Sequence, residues 1–222
     1  MSRQPLQHAL RWVFIGLLAA WLTGCATTQP RDYSAYRAAN PKSILVLPPL
    51  NDSPEIQATA SVLSHATLPL AEAGYYVIPV TLMTETFRQN GMEMPADIHE
   101  IAPQKLQEIF GADTALYIKV TDYGVSYKII ASEAVVTAHA RLVNLRTGEE
   151  LWQGQARASS EEGKSNSGGL AGMLISALVN QVVNSVTDAT HPVAGVATRR
   201  LLSAGHANGL LYGPRSPMYG KN

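Results

Sequence analysis

The sequence predicts an α/β fold of the mixed α+β type, in which a mixed sheet is covered by helices in a three-layer arrangement. In the first half, short branched apolar runs alternate with helical segments in the order β-α-β-α-α-β, which is typical of parallel strand pairing. From residue 126 onward, alternating apolar and polar residues separated by tight turns indicate an antiparallel meander. Two further helical segments follow. We therefore expect a single α/β domain over residues 43–205.

Turn-forming residues bound each element of the first half. The apolar run Ser43–Leu47 stops at Pro48–Pro49 and is predicted to be a buried strand. Ser53–Pro54 supplies an N-cap and a first helical position, which predicts a helix to Ala73 whose last turn is bent or broken by Pro69. The other elements of this half are a strand at Tyr75–Val80, a helix capped by Thr81 that ends at Gln89, a helix over Pro103–Phe110 and a strand at Thr114–Thr121.

The antiparallel meander is predicted at Ser126–Ile130, Glu133–Asn144 and Glu149–Arg157. The middle strand alternates, so one face packs on the core and the other faces solvent. A turn at Arg146–Glu149, with the positive φ supplied by Gly148, joins the last two strands. The residues predicted to face the core are Ala134, Val136, Ala138, Ala140 and Leu142, and those predicted to face outward are Thr137, His139 and Arg141.

The remainder of the chain is predicted to contain a loop, two helices and an irregular end. Residues 159–169 are polar and glycine-rich, as in a mobile loop. The helix Leu170–Asp188 is apolar around most of its girth, which favours burial against the sheet. Partial exposure of this helix as a docking surface is the alternative. Pro192 begins a last helix that reaches about Ala204, and residues 206–222 form an irregular C-terminal strap.

Residues 1–24 have the pattern of an export signal. A positive start precedes the apolar run Trp12–Leu22, whose eleven residues are too few to span a bilayer. The tetrapeptide Leu22–Cys25 resembles a bacterial lipobox. We therefore expect cleavage between Gly24 and Cys25, and attachment of diacylglyceryl and N-acyl chains to Cys25. The alternative is an ordinary secretory signal with an incidental cysteine.

Lipidation would decide the location of the protein, because two or three acyl chains anchor a protein stably while one chain binds only marginally. In bacterial sorting, aspartate directly after the lipidated cysteine favours retention in the inner membrane. Ala26 therefore predicts the outer membrane, with the domain on the periplasmic face. Residues 25–42 lack an apolar period and are predicted to be a flexible tether that reaches roughly 50–60 Å.

Composition and motif searches predict no reaction centre. Two of the 17 Lys and Arg residues lie in the leader, so the mature chain carries 15 basic and 17 acidic residues. No basic patch is visible, and nucleic acid is not an expected partner. We predict no catalytic, metal-binding or cofactor-binding residues, because no recognised ligand spacing occurs. The histidines of the mature chain are widely separated: His65, His99, His139, His191 and His206.

Four segments occur together in this order: Ile44–Pro49, Ala112–Ile118, Leu145–Trp152 and Gly209–Pro214. The set resembles a family of bacterial outer-membrane lipoproteins of unknown function, over about residues 25–217. The fold of that family is similar to the amino-terminal domain of TolB and to the periplasmic α/β domain of CsgG. The resemblance implies an accessory role beside other envelope lipoproteins or a transport complex, and it carries over no catalytic residues.

Three functions follow from the sequence. The first is a non-enzymatic binding or accessory module, held at the outer membrane by its lipid and active in envelope assembly or transport. The second is a subunit of a CsgG-like export channel, although the best candidate strand, 134–144, directs His139 and Arg141 outward. The third is a periplasmic hydrolase, because a Ser/His/Asp triad can assemble from distant positions. We favour the first and expect no enzymatic activity.

Overall fold

The computed structural model describes residues 31–127, 132–162 and 190–221. The described strands form one six-stranded sheet in the order β3-β1-β4-β5-β6, and β2 pairs with β4. The helices are α1 (Ser34–Ala39), α2 (Ala58–Glu72), α3 (Val80–Gln89), α4 (Pro95–His99), α5 (Pro103–Phe110) and α6 (Thr190–Leu202). The strands are β1 (Ser43–Val46), β2 (Leu50–Asn51), β3 (Tyr76–Val77), β4 (Thr114–Tyr127), β5 (Ser132–Asn144) and β6 (Glu150–Ser159).

The predicted fold class is confirmed. In the first half of the chain β1 pairs in parallel with both β3 and β4. In the second half β4, β5 and β6 pair in antiparallel fashion. The sheet is therefore mixed, with the change of direction at β4, as the two sequence patterns indicated.

Apolar side chains cover both faces of the sheet. In β1, Ile44 and Val46 join one buried cluster, while Leu45 belongs to a second cluster on the opposite face, together with Leu47 just after the strand. Helices α1, α2 and α6 contribute to the first cluster, and α3, α4 and α5 contribute to the second. A strand that is apolar on both faces needs helices on both sides, which gives the three layers.

Two prolines interrupt a strand that then resumes. Val46 pairs with Leu116 on β4, and after Pro48–Pro49 the chain pairs with β4 again at Leu50, opposite Lys119. Proline has no amide hydrogen to donate to the ladder, so the pairing breaks at this point. The sequence predicted the end of β1 but missed β2.

Helix α2 begins four residues later than predicted. The Oδ1 atom of Asn51 accepts hydrogen bonds from the backbone N of Ser53 at 2.9 Å and from its Oγ at 2.7 Å. This local turn holds Ser53 before the helix, so its assignment as the N-cap is wrong. Pro69 neither breaks nor ends α2, which continues to Glu72 with the proline buried.

Other boundaries of the first half shift by a few residues. The strand predicted at Tyr75–Val80 is paired only at Tyr76–Val77, and α3 starts at Val80 without a side-chain cap, so the capping role of Thr81 is wrong. The short helix α4 was not predicted. Helix α5 has the predicted bounds and is followed by the C-cap residue Gly111, whose φ is +64°.

Strand β4 is longer than predicted because it contains a bulge. Val120 pairs with Ala138 and Asp122 pairs with Thr137, so Thr121 is an extra residue in β4. The extra residue shifts the alternation of inward-facing and outward-facing side chains by one position. The apolar pattern in the sequence is therefore interrupted at the bulge, although the strand continues. The separate strand predicted at Ser126–Ile130 is therefore wrong, since β4 runs unbroken to Tyr127.

The meander otherwise follows the predicted pattern. The five residues of β5 predicted to face the core all belong to the first cluster. Thr137 was predicted to face solvent but is buried, because β5 lies between two strands whose side chains shield the middle of its outward face. Gly148 has the predicted positive φ of +78° in the turn that follows β5. The predicted loop from residue 163 and helix Leu170–Asp188 lie outside the described residues.

The predicted tether is wrong over its second half. Residues 34–39 form α1, and the Tyr36 side chain is only 2% exposed in the first apolar cluster. The compact unit that contains the sheet begins at Asp32 rather than at residue 43. A six-residue helix is too short to show an apolar period, which is why the sequence pattern did not reveal it.

Candidate binding site between the N-terminal helix and the C-terminal strap

The C-terminal strap is held on the domain by aromatic side chains that donate hydrogen bonds to its backbone carbonyls. The donors come from the residue before α1, from the segment between α2 and β3, and from β6. The strap therefore joins elements that are far apart in sequence. The three bonds run from Tyr33 Oη to Gly209 O (2.6 Å), from Tyr75 Oη to Leu211 O (2.8 Å) and from Trp152 Nε1 to Asn208 O (2.9 Å).

The strap also packs backbone against backbone at the end of α2. Gly213 N donates to Ala73 O at 2.8 Å, and Arg215 N donates to Gly74 O at 3.1 Å. Gly74 has a φ of +95°, and a Cβ atom there would lie 2.4 Å from Ser216 N. Glycine is therefore required at position 74 both for its conformation and for the close approach of the strap.

An open cavity of about 280 Å³ lies between α1 and the strap. Its lining contains four tyrosines, one amide side chain and a single charged residue. Both ends of the folded unit contribute to it, so it exists only when the strap is in place. The lining residues are Tyr36, Arg37, Asn40, Pro41, Tyr75, Leu211, Tyr212, Tyr219 and Gly220.

Two hydrogen-bonded pairs shape this tyrosine cavity. The hydroxyls of Tyr36 and Tyr75 lie 2.8 Å apart. Because Tyr75 donates its hydrogen to Leu211 O, Tyr36 is the donor to Tyr75. At the rim, Tyr219 Oη donates to Asn40 Oδ1 at 2.7 Å.

Both buried tyrosines stay neutral at physiological pH. Burial raises the pKa of Tyr75 to about 12. Burial and the neighbouring Tyr75 raise the pKa of Tyr36 well above its ordinary range. The phenols are therefore hydrogen-bond donors and acceptors, and they are unsuited to act as bases near neutral pH.

A second cluster joins α2 to α6. Ser61 Oγ lies 2.8 Å from His191 Nδ1, and the ring of His191 lies 4.4 Å from the ring of His65. Sequence reasoning missed this cluster because the three residues belong to two distant helices. A Cβ atom at Gly195 would lie 3.1 Å from His65, so a glycine on α6 allows the close packing.

The Ser61–His191 pair bears on the hydrolase hypothesis. A Ser/His site needs a nucleophile that substrate can reach and a third group that orients the histidine. Ser61 is only 5% exposed within α2, and among the described residues no carboxylate is hydrogen-bonded to His191. This pair therefore serves helix packing better than nucleophilic attack.

The other residues singled out from the sequence are dispersed. Gly24 and Cys25 lie outside the described residues. His99 Nε2 lies 2.9 Å from Pro48 O, and its ring packs edge-on against Tyr117. His139 is half-buried on β5. Among residues 31–127, 132–162 and 190–221, no group of three or more His, Cys, Asp or Glu side chains is arranged to hold a metal ion.

The sequence profile described as "Putative lipoprotein GNA1162-like" matches residues 31–215. This chain belongs to the GNA1162-like family. A curated relative from Neisseria meningitidis serogroup B, "Putative lipoprotein NMB1124/NMB1162", is 51% identical over 185 residues, which is 83% of this chain and 85% of the relative. The crystal structure of lipoprotein GNA1162 from Neisseria meningitidis is 54% identical, with a TM-score of 0.55, and covers 65% of this chain and 100% of that chain.

Membership of the GNA1162-like family confirms the lipoprotein family expected from the sequence. The likeness to TolB and CsgG stays a prediction. The profile match ends at residue 215, so it includes Gly213 and Arg215, whose backbone N–H groups bond to Ala73 O and Gly74 O. In the described part of this GNA1162-like chain, no helix combines the length and apolar character that crossing a membrane requires.

Substitution of Gly74 tests the docking of the strap. Gly74→Ala is expected to lower the free energy of unfolding by about 2–4 kcal/mol, because it adds a clash to an unfavourable φ. Gly91→Ala is the matched control: its φ is +74° but nothing lies within 4 Å, so we expect a loss of about 1 kcal/mol. Urea unfolding followed by Trp152 fluorescence measures both. Equal losses would show that the strap does not pack tightly at Gly74.

The His65–His191 contact predicts a dependence of stability on pH. Burial, and secondarily the charge of His191, lower the pKa of His65 below its ordinary value of 6.5. The unfolded chain therefore takes up a proton first, and stability is lost as the pH falls from 6.5 toward the folded-state pKa. Urea unfolding between pH 7.5 and pH 5 should show this loss, and His65→Gln should reduce it.

Burial also lowers the pKa of His99. We therefore expect His99 to cause the pH dependence of stability that persists in the His65→Gln variant. His206→Gln is the control, since His206 is exposed on the strap. An unchanged pH dependence in His65→Gln would contradict the assignment of the effect to the contact between α2 and α6.

Proposed function

We propose that this chain is an outer-membrane lipoprotein, anchored through Cys25 with its domain in the periplasm, that acts as a non-enzymatic binding module in envelope assembly or transport. Membership of a lipoprotein family supports the anchor. The leader pattern ending at Cys25 and the alanine that follows it support export and the outer membrane.

The tyrosine cavity is the observation that carries the binding role. It is open to solvent and combines aromatic walls with a few convergent polar groups, as binding sites do. Its described lining includes no histidine, cysteine, lysine or carboxylate that could serve as a nucleophile or as a general acid or base near neutral pH. These features support binding without catalysis.

The position of α1 supports action close to the membrane. Ser34 lies nine positions after Cys25, so the lipid attachment point and the start of α1 can be separated by at most about 30 Å. That span is about half of the reach that the longer predicted tether would have. The proposed ligand or partner is therefore one that is present near the inner surface of the outer membrane.

The export-channel hypothesis gains no support from the strand on which it depended. Strand β5 lies between β4 and β6, and its apolar face packs on α6 and the neighbouring helices. A lipid-facing strand would need that apolar face to be turned to the bilayer.

Localisation tests the anchor. Cys25→Ala should abolish incorporation of labelled palmitate and leave a protein that retains its 24-residue leader, measured by mass spectrometry. Ala26→Asp is the matched variant: it should remain lipidated but move to the inner-membrane fraction on a sucrose gradient. A wild-type protein without lipid, or with lipid but absent from the outer-membrane fraction, would contradict the proposed location.

Crosslinking in intact cells tests the binding role. Envelope components crosslinked to the wild-type protein should be lost with Arg37→Glu, which reverses the charge that lines the tyrosine cavity. Lys105→Glu should retain them, because it reverses an exposed charge on α5, in the opposite helical layer. Repeated failure to recover any component by mass spectrometry, or equal recovery with both variants, would count against the proposal.

A further inference from the structure

We infer that one corner of the domain rests on the anionic phospholipid surface in which Cys25 would be anchored, an inference that depends on the lipid anchor proposed above. The corner is built from the segment between α1 and β1, the edge strand β3 and the last residues of the strap. It presents three basic side chains beside three exposed apolar or aromatic ones. The residues of this basic corner are Lys42, Tyr76, Arg215, Met218, Tyr219 and Lys221.

Hydrogen bonds and a ring contact bring these separate segments together. Tyr76 N donates to Lys42 O at 2.9 Å, and the guanidinium carbon of Arg215 lies 5.3 Å from the centre of the Tyr76 ring. Tyr219 Oη donates to Asn40 Oδ1 at 2.7 Å, two residues before Lys42. The other members of the corner lie within two residues of Tyr219 along the chain. The sequence alone shows no basic patch because these residues come from three distant segments.

The charge of the corner is the first reason to assign a lipid surface to it. Lys42, Arg215 and Lys221 are all exposed, and none of them belongs to an ion pair within the described part of the chain. Residues 74–78 and 209–221 include no Asp or Glu, whereas the mature chain as a whole carries more acidic than basic residues. The phosphate groups of anionic lipids complement such a local excess of positive charge.

The carboxylate of Asp113 lies close to the corner, but it is engaged by backbone groups. Its Oδ2 atom accepts hydrogen bonds from the backbone N of Lys42 at 2.8 Å and from that of Ser43 at 3.1 Å. Even if its whole charge is counted, the three cations leave the corner positive.

The exposed apolar groups are the second reason. The exposed fractions of Tyr76, Met218 and Tyr219 are 44%, 43% and 47%. Aromatic rings with a polar tip favour the headgroup layer of a bilayer, where neighbouring Lys and Arg side chains meet the phosphates. A small acidic solute would match the charges of the corner but would leave these apolar side chains in water.

The short connection to the anchor is the third reason. At most about 30 Å of chain separates Cys25 from the start of α1. A short tether keeps the domain at a high effective concentration beside the bilayer, so weak contacts are enough to dock it. Tyr219 belongs both to the corner and to the lining of the tyrosine cavity. Docking therefore places the rim of the cavity at the headgroup layer.

A fluorescent label at position 218 tests the docking. Cys25 is the only cysteine, and lipid would block its sulfur, so Met218→Cys supplies a single reactive thiol for an environment-sensitive dye. The lipidated mature chain is reconstituted into vesicles of phosphatidylcholine, with or without phosphatidylglycerol. The emission should shift to the blue only in the anionic vesicles. Raising the salt from about 0.1 M to about 1 M should reverse the shift, because the Debye length falls from about 10 Å to about 3 Å.

The control label is placed on the opposite helical layer. Met94 is 63% exposed and directly precedes α4, so a dye on Met94→Cys should keep the emission that it has in water.

Two pairs of charge reversals separate the corner from the net charge of the protein. Lys42→Glu with Lys221→Glu should lower the ratio of docked to undocked label at least about 25-fold, since each basic residue near an anionic surface contributes a factor of about five. Arg88→Glu with Lys105→Glu changes the net charge equally on exposed parts of α3 and α5, and it should leave the ratio unchanged.

The outcomes distinguish the anchor from the docking. Mass spectrometry before reconstitution reads the lipid, and a chain without it would overturn both proposals. A lipidated chain whose label stays in water, or whose shift ignores lipid charge or falls equally with both pairs of variants, would overturn the docking alone. A shift that is lost when each vesicle holds at most one chain would identify a second copy as the occupant, and this result too would contradict docking on lipid.

Discussion

The structure depends on one constraint: the central strands are apolar on both faces. Ile44 and Leu45 are adjacent in β1 and both fully buried, each in a different cluster. Neither face can be left to water, so helices must cover the sheet on both sides. The α3–α5 layer closes one face with a continuous stretch of chain. The other face is closed by α1, α2 and α6, which come from separate parts of the sequence.

That difference between the layers explains where the candidate site lies. The three consecutive helices α3, α4 and α5 cover their face of the sheet without a contribution from either end of the chain. The layer built from distant pieces is completed by α1 and by the strap, which is held at Leu211 and packed on Gly74. The tyrosine cavity is the space that remains between these two closing segments. Its polar groups are positioned by the same bonds that fasten the strap.

Local chemistry made much of the fold predictable from sequence. Pro103 and Gly111 correctly predicted the two ends of α5, and Gly148 correctly predicted the turn after β5. Each of these residues restricts or permits a particular backbone conformation at its own position, so its effect can be read from local sequence. The bulge at Thr121 was not predictable, because it disturbs the apolar alternation that reveals a strand. The cavity and the contact of His65 with His191 were not predictable either. They join residues separated by more than a hundred positions, and no local pattern encodes that separation.

The short connection between Cys25 and α1 has a mechanical consequence. If Cys25 is fixed in the bilayer, any force that moves the domain away from the membrane enters the fold at α1. The force is then carried by two hydrogen bonds: the one between the hydroxyls of Tyr36 and Tyr75, and the one from Tyr33 Oη to Gly209 O. The first of these hydrogen bonds joins two residues that line the tyrosine cavity, and the second joins residues next to that lining. The cavity thus lies on the path by which tension at the lipid would reach the rest of the protein.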